Sequence, residues 1–155
     1  LGAGVELRDR PGYSPEYHDP AFMKLVEECC CDLVGEDRVK FDYQSWSTGS
    51  SDFGDITCVM PGVQFFAAGA VGTGHGIDYF IKDPNRMCVN AVKAQLFVAD
   101  ALLRDDAAAA RKIIADYQPQ YPSIRAYLDA INELILDKDA VRYDENGNAV
   151  VDFKN

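Results

Sequence analysis

The sequence predicts an α/β chain, with strands early and helices late, and three observations carry that expectation. Val5 and Leu7 alternate with Glu6 and Arg8, the period of a half-buried strand. Asp-Pro occurs twice, at Asp19-Pro20 and Asp83-Pro84, each time ahead of apolar residues at helical spacing. Asn146-Gly147 lies between two strand-like runs, the strongest short-range signal for a β-hairpin.

Taken in order, Gly4 to Arg8 reads as a short strand, and Asp9 to His18 as a turn-rich linker holding two prolines and a glycine. His18 has no polar residues at recognisable spacing around it and reads as a surface residue. Asp19 is the expected N-cap of a helix whose buried face is Phe22, Leu25, Val26, Cys29 and Leu33, with Gly35 as its C-cap. Val39 to Tyr43 alternates like a strand. Val63 to Ala68 is an apolar run that reads as a buried strand. After Pro84, Cys88, Val92, Gln95, Leu96, Ala99 and Leu103 mark a long helix. Asp105 or Asp106 is expected to cap another, with Ala110, Ile113, Ile114 and Tyr117 on one face, ended by Pro119 and Pro122. A third helix carries Ile124, Tyr127, Leu128, Ile131, Leu134 and Ile135, and the hairpin from Ala140 to Phe153 closes the chain.

The net charge of −10 argues against nucleic acid and anionic membranes as partners, since both select clustered Lys and Arg. No apolar run approaches the length of a membrane span, and no signal peptide is visible. The chain begins with Leu rather than Met, so its natural start is expected to lie upstream. The five cysteines show no C-x-x-C spacing, and Cys29, Cys30 and Cys31 are consecutive, pointing three ways from a helix. Reduced thiols in a cytoplasmic protein are the expectation.

Two stretches can carry chemistry. Ser47 to Asp52 is a small, polar run ahead of Phe53, Ile56, Val59 and Met60. It reads either as an ordinary capped turn or as a helix start whose free N–H groups hold a carboxylate or oxyanion. The second is Gly69 to Gly76, a glycine-rich loop carrying His75. Glycines around a histidine allow unusual backbone conformations or close approach to a ligand. The loop matches neither G-x-G-x-x-G nor a phosphate loop, because no Lys follows, and nucleotide binding is rejected. A serine or cysteine hydrolase is disfavoured too, with no G-x-S-x-G elbow and only two histidines.

The order Gly49-Ser50-Ser51-Asp52-Phe53-Gly54-Asp55, Met60-Pro61-Gly62-Val63, His75 and the helix from Pro84 resembles the C-terminal part of the metal-dependent amidohydrolases of the aminoacylase/carboxypeptidase type. The first motif looks closest to the aminobenzoyl-glutamate hydrolase branch, beside hippurate hydrolase. The resemblance covers roughly Gly4 to Leu103 and implies the C-terminal part of a mixed-sheet, helix-flanked, zinc-peptidase-like catalytic domain. Residues 1–18 would then end a lid domain and return to the catalytic domain, 19–138 would belong to the catalytic domain, and 139–155 would form a hairpin extension.

By the same resemblance, His75 matches a ligand to one of two divalent ions, zinc or manganese, and Gly49, Ser50, Ser51 and Asp52 match the substrate-binding wall. The other ligands and the general-base glutamate lie in the family's N-terminal half, so no catalytic residue is expected in this chain. Many members follow the histidine with Ser/Thr-Pro and a Phe, whereas here Gly76-Ile77-Asp78-Tyr79-Phe80 follows. The implied chemistry is amide hydrolysis of N-acyl or N-aroyl amino acids, the metal activating water and polarising the carbonyl. Asp52, Asp55 and Asp78 are candidates to hold the other imidazole nitrogen. The implied full-length protein is a homodimer, and this chain alone is expected to be inactive. The alternative is a non-catalytic binding or scaffolding domain derived from the same fold.

Overall fold

The computed structural model describes residues 2–43 and 51–153. They form a mixed α/β chain, 46% helical, with small antiparallel sheets. The chain divides into two compact units, Leu1–Tyr13 with Tyr121–Asn155, and Ser14–Gln120. No helix among the described residues is long and apolar enough to cross a membrane.

The first unit is built on a three-stranded antiparallel sheet of order β1-β4-β5. Strand β1 (Val5–Asp9) pairs with β4 (Leu136–Tyr143), setting Val5 against Val141 and Asp9 against Leu136. Arg10 extends this pairing, its guanidinium holding the Asp137 carboxylate 2.8 Å away. The expected hairpin forms between β4 and β5 (Ala149–Val151). Its turn runs from Asp144 to Asn148, with Gly147 at a φ of +79° donating to the Asp144 carbonyl at 2.9 Å. That is a longer loop than the two-residue turn Asn-Gly most often makes, and the glycine occupies its left-handed position. Helix α4 (Ile124–Glu133) starts as its sequence dictates, the Ser123 hydroxyl accepting from the Ala126 amide at 3.1 Å.

The second unit packs α1 (Pro20–Val34) against α3 (Asn90–Asp116). The Asp19 side chain caps α1 by accepting from the Phe22 amide at 2.8 Å, and Gly35 ends it at a φ of +90°. Val26 and Cys29 from α1 meet Val98 and Ala101 from α3 in the core, with Phe22, Leu25, Phe41, Val63 and Phe65 packed around them.

Helix α3 departs from expectation in two ways. Its buried face is Ala94, Val98 and Ala101, whereas Val92, Leu96 and Leu103 are 55–68% exposed. The helix carries two apolar stripes, and the one with small residues lets the α1 backbone approach closely. The break expected near Asp105 is present, but Asp105, Asp106 and Ala107 form a left-handed turn, with φ of +53° to +58°, instead of capping a new helix. The helix also opens on a π-helical turn, Asn85–Val89, after the Asp83 carboxylate accepts from the Arg86 amide.

The strands expected at Val39 to Tyr43 and Val63 to Ala68 do not form. Both segments are non-helical and unladdered, because a strand exists only beside a partner and among the described residues none lies alongside them. Two-residue strands β2 (Ala70–Val71) and β3 (Phe80–Ile81) pair instead, just after the second segment.

Candidate functional site

The β2–β3 hairpin presents His75 at its far end. The loop is closed by its own bonds: the Gly76 amide donates to the Thr73 carbonyl at 2.7 Å, and the Tyr79 amide to the Gly76 carbonyl at 3.2 Å. The Asp78 carboxylate accepts from the Thr73 amide at 3.1 Å and from its hydroxyl at 3.3 Å. Gly72 takes a φ of +100° and lies against the Asp78 backbone, where a Cβ would collide. His75 has a φ of +64°, uncommon for a residue with a side chain, and stands exposed. Asp78 is thus committed to its own loop.

Of the residues expected to bind substrate, Gly49 and Ser50 lie outside the described residues. Ser51 and Asp52 precede the short helix α2 (Phe53–Thr57). Asp52 makes no side-chain cap, and Ser51 turns towards the linker, where its hydroxyl donates to the Glu16 carboxylate. Asp55 is likewise engaged, accepting from the Ser14 amide at 2.8 Å. Gly54 allows this approach: it sits directly on the Ser14 carbonyl.

Sequence reasoning missed what Glu16 gathers. Besides Ser51, its carboxylate takes the Nε2 of His18 at 3.1 Å and, with the Gln64 amide oriented to donate, that nitrogen at 2.9 Å. His18 is only about a quarter exposed and meets the Phe53 ring edge-on, with centroids 6.3 Å apart. His18 is therefore not the isolated surface residue its neighbours in sequence imply. Glu16-x-His18 was visible; the arrival of Ser51 and Gln64 from distant segments was not. The cluster does not have the order of a Ser-His-carboxylate triad, since the carboxylate stands between hydroxyl and imidazole, whereas in that triad the imidazole stands between the other two.

His18 and Gln64 also border a groove of about 610 Å³. Its apolar walls include Leu33, Phe41, Val63, Phe65 and Ala94. Cys30 lines it as a neutral thiol, burial pushing its pKa up ahead of the neighbouring thiols. Three cationic side chains, Arg38, Lys40 and Arg86, stand round it with one carboxylate, Asp42. The three cations form no ion pair with any described residue. His75 and Ser51 are not among the residues lining the groove.

Among the described residues no group of three or more His, Cys, Asp or Glu side chains is placed to hold a metal ion. His75 offers one imidazole, which does not by itself fit a two-ion centre. No protein-family model, curated protein or solved structure matches the chain.

Proposed function

We propose that this chain is the C-terminal portion of a cytoplasmic metal-dependent amidohydrolase acting on N-acyl or N-aroyl amino acids, a homodimer in its full-length form. His75 would supply one ligand to a zinc or manganese ion, and the segment Gly49, Ser50, Ser51 and Asp52 would face the substrate. The finer fold that goes with this reading is the C-terminal part of a zinc-peptidase-like domain.

The observation that supports it best is the setting of His75. Its imidazole stands free of the loop's internal bonds, on a turn made rigid by Thr73, Gly76 and Asp78. A rigid turn that aims one unengaged imidazole outward suits a ligand shared with residues from elsewhere. The remaining ligands and the general base would come from the N-terminal half that the resemblance implies, so this chain alone hydrolyses no amide bond. The groove beside Arg38, Lys40 and Arg86 favours the second reading, a non-catalytic binding domain of the same fold.

Metal content after zinc or manganese loading and desalting, compared with His75→Ala, separates the two. Weak, substoichiometric metal that the substitution abolishes fits a half-site. Metal content indifferent to His75 removes the amidohydrolase reading and leaves the binding domain. A tightly held stoichiometric ion would mean that the chain completes a site by itself, against the fragment reading.

A further inference from the structure

We propose that Val63–Ala68 and the groove beside it accept an extended, apolar segment flanked by carboxylates from another polypeptide, by β-strand addition. The inference stands apart from the amidohydrolase reading, since it uses neither His75 nor a metal.

The argument begins with the backbone. Among the described residues, no backbone group of Val63 through Ala68 makes a backbone–backbone hydrogen bond, although the segment is neither proline-rich nor polar. Amide and carbonyl groups are obligatory hydrogen-bonding groups, and an unpaired row of them is a template for an incoming strand. The side chains already alternate as on a pleated strand. Val63 and Phe65 pack against the α1–α3 core, while Phe66 is 89% exposed and Ala68 is exposed. The Gln64 side chain is tied to Glu16, which fixes the segment from one side.

The surroundings specify the partner. An apolar groove of about 610 Å³ lies along the segment, ready for alternate side chains of an added strand. Arg38, Lys40 and Arg86 line it with a single carboxylate, Asp42, and form no ion pair with a described residue, in a chain whose net charge is −10. They favour an occupant with acidic flanks. A second copy of this chain would bring ten further net negative charges and the same three cations to the contact, so another polypeptide fits better.

The test uses the full chain and a synthetic peptide of alternating valine and threonine closed by glutamate at each end. A second peptide carries the same residues with alternate amides N-methylated, which keeps the apolar surface and blocks strand pairing. The parent peptide is expected to bind and to slow amide exchange at Val63–Ala68. N-methylation is expected to weaken binding by about tenfold or more, each blocked amide removing one hydrogen bond. Phe65→Pro should abolish binding. Phe66→Asp, at an exposed position that does not threaten folding, should weaken the parent peptide through charge repulsion with its glutamates. Equal affinity for the two peptides, or no binding by a folded chain, overturns the proposal. So does a stable homodimer, without peptide, in which the Val63–Ala68 amides are already protected: the occupant is then a second copy.

Discussion

The Tyr117 hydroxyl donates a hydrogen bond to the Thr57 backbone carbonyl, joining two buried residues sixty positions apart. Thr57 is 1% exposed, and its own hydroxyl donates to the Gly54 carbonyl while accepting from the Tyr17 amide. Burial, then the neighbouring Cys58 and Tyr17, raises the Tyr117 pKa and keeps the phenol a donor. Tyr117→Phe retains the ring but strands the Thr57 carbonyl. It should cost about 1–3 kcal/mol in urea unfolding, the usual penalty for an unpaired buried acceptor.

The linker is held to α2 by a contact that only glycine permits. A Cβ at Gly54 would overlap the Ser14 carbonyl and crowd Pro15. Gly54→Ala should therefore force the two segments apart, loosening the Ser14–Asp55 hydrogen bond as well. The expected loss is about 1–3 kcal/mol, the range for overpacking, with faster amide exchange at Ser14 as the local readout.

The left-handed turn in α3 holds three consecutive residues with side chains at positive φ. Such backbone costs roughly 1–2 kcal/mol per residue without glycine. Ala107→Gly, at φ +56°, is expected to raise the unfolding free energy measured in urea by about 1 kcal/mol. A glycine placed in the regular part of the helix, at exposed Ala99, should do the opposite by about 1 kcal/mol.

The hairpin turn is the acid-sensitive element. The Asp144 carboxylate accepts from the Asn148 amide at 2.8 Å, from the Asn148 side chain and from the Asn146 amide, and these bonds lower its pKa, Asn148 contributing most. A carboxyl whose folded pKa is depressed stabilises the fold above its unfolded value, and that stabilisation is lost as pH falls through the folded value. Protection of the Asn146 and Asn148 amides, taken relative to intrinsic exchange at each pH, should fall as the solution is acidified below the ordinary carboxylate range. Asp144→Asn should remove most of that pH dependence.

The elements that were legible in sequence are those decided by a few adjacent residues. Asp19-Pro20 opened α1 and Gly35 closed it because capping is local chemistry. Gly147 turned the hairpin for the same reason, although Asp144 and Asn148 lengthened the turn. Val63–Ala68 has the apolar run of a buried strand, yet no strand forms and Phe66 stands 89% exposed, since pairing and burial depend on what lies beside the segment. Periodicity chose the wrong stripe of α3, because hydrophobicity ranks Leu96 above Ala94 whereas close helix packing prefers the alanine. The Glu16 cluster was hidden because His18, Ser51 and Gln64 reach one carboxylate from three segments.

The pairing of Val5 with Val141 also sets an order of events during synthesis. Strand β1 is made before its neighbour β4, and the whole Ser14–Gln120 unit is made between them. That unit holds all of its own core contacts and can settle first. The nascent chain then carries an unpaired strand while a whole unit folds, and the β1–β4 pairing closes only afterwards.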